Sequence, residues 1–179
     1  MSSVRVVSPL VVRPATEQDV AEITRIYSHY VLHSCATFEM EAPGMAEMAR
    51  RRSKVLELGL PYLAAEEDGR VVGYAYANAY RPRAAYRFTV EDSIYINPAD
   101  VGRGCGQALL AALIQRCEQG SWRQMVAVIG DSGNAASVGL HQRFGFHQVG
   151  KLSSVGFKLG RWVDTVLMQR ALGADPVHT

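Results

Sequence analysis

The sequence predicts an α/β fold: a mixed, mostly antiparallel sheet with helices on its faces. Three observations carry this. Glu67-Asp68-Gly69-Arg70 is a hairpin signal between two β-prone runs; Phe88 to Glu118 reads as strand, glycine loop, helix; and Met125 to Gln169 reads as strand, helix, hairpin. At 179 residues and 48% hydrophobic content the chain is expected to form one domain, 1–179, with its core over about 11–172 and a frayed tail over 173–179.

Taken in order, Val11 to Arg13 is a short β-branched strand ended by Pro14. Thr16 ahead of Glu17 and Asp19 starts a helix, with Val20, Ile23, Ile26, Tyr27 and Tyr30 at helical spacing. A loop with Thr37, Phe38 and Pro43 leads to a second helix, Met45 to Leu58, closed by Gly59 and Pro61. Tyr62 to Glu66 and Val71 to Ala79 form the first hairpin, and Phe88 to Ile96 the next strand. The glycine-containing stretch Asn97 to Gly106 opens a helix over Gln107 to Glu118. Met125 to Ile129 is a buried strand, Asn134 to Phe144 a helix stopped by Gly145, and Val155 to Leu159 pairs with Trp162 to Gln169 around Gly160-Arg161.

Composition removes several function classes. There are 19 Lys plus Arg against 17 Asp plus Glu, a net charge of +2, and the densest basic run is Arg50-Arg51-Arg52, so no nucleic-acid surface is expected. No apolar stretch approaches the length of a membrane span and no signal-type block opens the chain, which points to a soluble, cytoplasmic protein without a membrane partner. Cys35, Cys105 and Cys117 are too few and too scattered for a disulfide framework or a zinc site; no metal is expected.

The segment Val101-Gly102-Arg103-Gly104-Cys105-Gly106 can aim several backbone N–H groups at one point beside a helix N-terminus, which suits a phosphate or pyrophosphate. A flexible connector is an equal reading of those letters alone. Its spacing fits neither the P-loop nor the dinucleotide fingerprint, which leaves a pyrophosphate carried by another group such as coenzyme A.

Several blocks in one order sharpen this. The glycine loop after Ile94-Tyr95-Ile96, then Asn134-Ala135-Ala136-Ser137 leading to Phe144-Gly145-Phe146, resemble the GNAT superfamily of acetyl-CoA-dependent N-acetyltransferases. Within it, Thr37-Phe38-Glu39, Arg81-Pro82-Arg83, Thr89-Val90-Glu91-Asp92-Ser93, Leu140-His141 and Val155 to Asp164 are similar to the phosphinothricin and methionine sulfoximine or sulfone acetyltransferases. The resemblance spans about Val11 to Leu172. It implies the GNAT fold with splayed central strands, acetyl-CoA as cosubstrate, a small amino-acid analogue as acceptor, direct attack in a ternary complex, a role in resistance or detoxification, and a homodimer.

The residues divide by role. Acetylating an amine requires removing its ammonium proton and stabilising charge on the thioester oxygen. Glu91, in an apolar and β-branched run, is the candidate base; His141 is the second candidate, as base or as acid to the departing thiolate. Either would be an ordinary structural residue without the resemblance. The resemblance assigns the cofactor to Ile94, Tyr95, Ile96, Gly102, Arg103, Gly104, Cys105, Gly106, Gln107, Asn134 and Ser137, with Ile96 main chain at the thioester and the strand pairing with the pantetheine arm. Asn134 and Ser137 also suit plain helix capping. Val101 stands where the family usually has Gln or Arg, and Arg103 is expected to make up the charge.

The resemblance assigns the acceptor to Arg81 foremost, with Pro82, Arg83, Glu91, Asp92, Ser93 and Phe38; guanidinium groups suit carboxylate and phosphinate or sulfone oxygens, which they bind in a fork, though without the resemblance a solvated basic loop is an equal reading. A ping-pong route through Cys105 or Cys117 lacks a neighbouring histidine in sequence. The competing readings are a different amine acceptor, against which the Arg81-Pro82-Arg83 cations count for polyamines, and a non-catalytic acyl-CoA sensor, which has no need of Glu91 with His141.

Overall fold

The computed structural model describes residues 9–173; the expected frayed tail over 173–179 lies, past Gly173, outside them. Strands β1 (Val11–Pro14), β2 (Tyr62–Glu67), β3 (Arg70–Ala79), β4 (Thr89–Ile96), β5 (Gln124–Gly130), β6 (His147–Lys158) and β7 (Arg161–Ala171) form one sheet in the order β1-β2-β3-β4-β5-β7-β6. Helices α1 (Val20–His33), α2 (Met45–Glu57), α3 (Cys105–Glu118) and α4 (Ala135–Arg143) cover it. All neighbours are antiparallel except β4 and β5.

Local chemistry sets the element ends. Thr16 and Asp19 form a capping box ahead of α1, and Asp19 is held by a two-armed bond from Arg13 (2.7 and 2.8 Å). Gly104, at φ +85°, caps α3, so the helix begins at Cys105, two residues before the expected start at Gln107. Of the loop's three glycines, Gly106 already belongs to the first turn and Gly104 caps it, while Gly102 stays in the loop.

The largest departure is β6, which starts at His147 and not near Val155. Its pairing with β7 shifts register between Gln148 and Gly150 and again between Leu152 and Gly156. At the second shift Ser154 sits at φ +52°, its amide donating to Asp164 Oδ1 at 2.8 Å. A bulge breaks the period-2 alternation from which strands are read.

The core lies on both faces of the sheet. Leu109, Leu110 and Leu113 of α3 are fully buried on one side, Ile23, Ile26 and Val31 of α1 on the other; each such side chain contributes about 1.5–3 kcal/mol by leaving water. On the α1 and α2 side, Tyr62, Tyr74 and Tyr76 stack across β2 and β3, while Tyr95 packs against Tyr27 and Tyr30.

One feature of the sheet positions the site. β4 and β5 pair in parallel only from Thr89↔Gln124 to Asp92↔Ala127. Beyond that rung β4 runs on to Ile96 beside β3, and β5 to Gly130 beside β7, so the two central strands part and leave a wedge between them.

Candidate active site

The wedge is the mouth of a cavity of about 590 Å³, lined by β4 from Asp92 to Ile96, β5 from Ala127 to Gly130, the glycine loop, and α4. Asn97 N–H donates to Val72 O on β3 at 2.8 Å. Strand alternation therefore turns the main-chain groups of Ile94 and Ile96 the other way, into the wedge, where β5 no longer meets them. Apart from the Ile96 carbonyl, these are open edge positions for an extended, amide-bearing ligand arm. The Tyr30 hydroxyl caps the Ile96 carbonyl at 2.6 Å.

The glycine loop closes one end. Gly102 (φ +82°) and Gly104 (φ +85°) are left-handed, a conformation that side chains resist. Ala108 N–H makes the first bond of α3, to Gly104 O at 3.1 Å, which leaves the amides of Cys105, Gly106 and Gln107 at the helix N-terminus without intrahelical partners. All three residues line the cavity. With the helix dipole they form an anion cradle, and the residues present fit a pyrophosphate.

Arg103 is not brought to that cradle. Its guanidinium pairs with Asp100 at 2.9 Å and Glu67 at 2.6 Å, and it does not line the cavity. Asp100, buried and also held by both terminal nitrogens of Arg70 (3.0 Å each) and by Asn97, fixes the loop; those cations hold its carboxyl below the usual range despite burial, which alone would raise it. Among the described residues the cation on the lining is Arg143, at the end of α4.

Glu91 lies on the opposite face of β4 from Asp92, the face that carries Ser93 and Tyr95 toward α1. Burial first, then the negative charge of Asp92, push its carboxyl up to about 7, with Arg81 pulling the other way. Arg81 rests on the ring of Tyr80 at 5.0 Å, and Arg83 is exposed with no side-chain partner among the described residues. Pro82 sits between them in the same exposed turn. Ser93 is bonded to Tyr76. Phe38 lies over Gly156 of β6, where an added Cβ would meet its ring at 2.4 Å.

Asp92 does not join the acceptor face for which it was expected. It is 7% exposed and turned toward α4, where Oδ2 lies 3.0 Å from His141 Nε2. His141 Nδ1–H donates to the Ser137 carbonyl at 2.7 Å, so this nitrogen carries a proton, and a second proton is shared between Nε2 and Oδ2. Burial would lower the histidine's pKa, but the bond and charge of Asp92 outweigh it and the net shift is upward. Asn134 Oδ1 accepts from Ser137 N–H at 3.2 Å, so the expected capping is present at α4, and both residues line the cavity. Burial drives the Cys105 and Cys117 thiols up to about 12. Among the described residues no group of three or more His, Cys, Asp or Glu side chains is placed to hold a metal, and no helix is long and apolar enough to cross a membrane.

Comparison with known proteins agrees with this geometry. The model of the acetyltransferase (GNAT) domain matches residues 12–167. The chain belongs to the GNAT acetyltransferases. It is 58% identical over 163 residues to a phosphinothricin N-acetyltransferase of Alcaligenes faecalis, a match covering 91% of this chain and 83% of that one. It is 40% identical to an L-methionine sulfoximine/L-methionine sulfone acetyltransferase of Salmonella typhimurium, over 91% and 95% of the two chains. The crystal structure of a phosphinothricin acetyltransferase from Sinorhizobium meliloti in complex with acetyl-CoA superposes with a TM-score of 0.90 at 45% identity, covering 94% of each chain.

The expected fold is the observed one in this acetyltransferase. Its cleft gathers Ile94, Tyr95, Ile96, Gly102, Gly104, Cys105, Gly106, Gln107, Asn134, Ser137 and His141. Glu91 lies on the other face of β4, where the charge of Arg81 reaches it without an ion pair among the described residues, and Arg103 and Asp92 stand apart from their expected places. Sequence reasoning missed Tyr30, Asp100 and Arg143. Tyr30 shares the spacing of the buried α1 residues and reads as core; Arg143 sits among ordinary surface letters. Asp100 carries a weak signal, an acidic residue beside Asn97-Pro98 at a turn.

Proposed function

We propose that this acetyltransferase moves the acetyl group of acetyl-CoA to the α-amino group of a small amino-acid analogue of the phosphinothricin, methionine sulfoximine or methionine sulfone type, with Glu91 as general base. The observation that carries the reading is Glu91 itself: a half-buried carboxylate that burial and the charge of Asp92 push up to about 7, within reach of the charge of Arg81 and next to the splayed end of β4. Acetyl-CoA supplies the acetyl group activated as a thioester. Ile94 and Ile96 main chain align its arm, the amides at the start of α3 with Arg143 take its phosphates, and Asn134 and Ser137 border the arm from α4. Glu91 takes the ammonium proton, which makes the amine nucleophilic.

His141 is a poor base here, because one ring nitrogen bears a proton bonded to Ser137 and the other already shares one with Asp92. Arg81, with Arg83 across Pro82, holds the acceptor's oxyanions, and Phe38 walls the pocket against Gly156. The names of the relatives support this acceptor class, and resistance or detoxification is the matching role.

The working form is a cytoplasmic homodimer. β6 is a long edge strand whose outer positions Val149, Leu152, Val155 and Phe157 are about half exposed, with Trp162 of β7 65% exposed beside Phe157. An apolar edge of this length is covered in a soluble protein, and a second copy of the chain suits it.

Thiol release from acetyl-CoA across methionine sulfone, methionine sulfoximine, phosphinothricin, the common amino acids, spermidine and a peptide tests the reading. Turnover centred on the first three supports it. Turnover confined to spermidine or the peptide replaces the acceptor, and silence with every amine despite acetyl-CoA binding replaces the enzyme by a sensor.

A further inference from the structure

We propose that Asp92 is a positioning residue of this enzyme, pinning the apex of the cofactor cleft through His141 while its second oxygen waits for a donor on the incoming cofactor. The inference rests on the reading that the cleft holds acetyl-CoA and that Glu91 is the base.

Asp92↔Ala127 is the last rung that joins β4 to β5. At that rung the Asp92 carboxylate reaches to α4 and shares a proton with His141 Nε2 at 3.0 Å, both side chains being at most 5% exposed. Among the described residues no other side-chain hydrogen bond ties α4 to β4. The imidazole is fixed on its remaining sides by Ser137 O at 2.7 Å and by the ring of Phe146, which meets it edge-on with centroids 5.0 Å apart. Asp92 and His141 both line the cavity, as do Asn134, Ser137, Leu140 and Arg143 of the α4 wall. The pair therefore sets where that wall stands relative to the open edge of β4.

The other carboxylate oxygen is the second observation. Asp92 Oδ1 is buried and has no hydrogen-bond partner among the described residues. A buried acceptor left empty destabilises the site until a donor reaches it, and this one belongs to a residue on the cleft wall. The pantetheine arm of acetyl-CoA carries amide N–H groups, so the ligand brings the missing donor. Asp92 also acts across β4. Of the charged and titratable groups that act on Glu91, Asp92 raises its pKa and Arg81 lowers it, while Tyr76 is its titratable neighbour on β3.

Two variants separate the functions of the pin. Asp92→Ala leaves the His141 N–H unanswered and should weaken acetyl-CoA binding, read by calorimetry, by about tenfold or more, with the acceptor KM within about twofold. Asp92→Asn can donate to a neutral His141 Nε2 and keep the empty oxygen. It should hold acetyl-CoA within about threefold of wild type, while the acidic limb of kcat/KM moves to lower pH because the charge beside Glu91 is gone. Wild-type acetyl-CoA affinity in Asp92→Ala would overturn the pin. Should Asp92→Ala fail to fold, Asp92→Asn decides: an unmoved acidic limb, or acetyl-CoA affinity lost as far as a tenfold change, sinks the proposal. Failure of the base reading shows elsewhere, as wild-type kcat in Glu91→Gln, and leaves the calorimetric result standing.

Discussion

The Tyr30 hydroxyl donates to the carbonyl oxygen of Ile96 at 2.6 Å, across the side of β4 that has lost its partner strand. The bond satisfies a main-chain acceptor that the splay would leave open, and the Tyr30 ring rests on Tyr95, so α1 fixes the end of β4 from one side. Tyr30→Phe keeps the ring contact and removes the donor. The variant should lose about 1 kcal/mol in denaturant unfolding and raise the acetyl-CoA KM by about two- to tenfold. An unchanged midpoint with an unchanged KM would show that the splay holds without this bond.

Glu91 couples the site to stability. Its folded-state pKa of about 7 lies above the value of 4.5 expected in the unfolded chain, so the folded state binds the extra proton between those values. Its contribution to stability is fully present below about 4.5 and is lost as the pH rises through about 7. Glu91→Gln has no such loss. Melting temperatures should therefore coincide near pH 4 and separate by pH 8, with the Gln variant higher by about 2–8 °C, while its kcat falls by about 10²- to 10⁴-fold. Equal melting temperatures at pH 8 would count against a buried, destabilised carboxylate.

The legible parts of the molecule were those with local signals. Asp68-Gly69 marked the β2–β3 hairpin, Thr16 and Asp19 the start of α1, and the glycines at 102, 104 and 106 the cradle. What stayed hidden depends on partners far apart in the chain. Arg103 read as a phosphate ligand because nothing in its neighbourhood announces Glu67, 36 residues back. Asp92 read as an acceptor contact beside Glu91, yet adjacent strand residues point to opposite faces and its partner His141 is 49 residues away. The early start of β6 was masked by a bulge held by Asp164.

The thiols make a kinetic statement. Cys105 and Cys117 are buried with pKa values pushed up to about 12, so almost no thiolate exists near neutral pH. Enzyme mixed with acetyl-CoA without acceptor should show no acetyl adduct by mass spectrometry, and initial-rate plots should intersect. Parallel lines with a trapped acetyl-enzyme would instead require a cysteine route.

Arg81 should show two effects in one variant. Its charge lowers the pKa of Glu91, so Arg81→Ala lets that pKa rise and moves the acidic limb of kcat/KM to higher pH. The same change removes the proposed clamp on the acceptor and should raise the acceptor KM by about tenfold or more, with the acetyl-CoA KM unaltered. A rise in both KM values without a pH shift would indicate damage to the fold and not to the clamp.

The proposed acceptor wall rests on a steric fit between Phe38 and Gly156. An added Cβ at position 156 would sit 2.4, 2.8 and 2.9 Å from three carbons of the Phe38 ring, and no left-handed φ is involved, so the cost of Gly156→Ala is the clash alone. Phe38 lies on the α1–α2 connection, which Lys158 also binds through the Thr37 carbonyl at 2.6 Å, so the loop cannot simply move away. Gly156→Ala should destabilise the protein by about 1–3 kcal/mol and raise the acceptor KM more than the acetyl-CoA KM. Phe38→Ala alone also loses part of the wall, but in the Phe38→Ala/Gly156→Ala double variant the clash is absent. The double variant should then be no less stable than Phe38→Ala, a coupling measurable in a double-mutant cycle. Additive losses would mean that Gly156 is required for something other than the ring of Phe38.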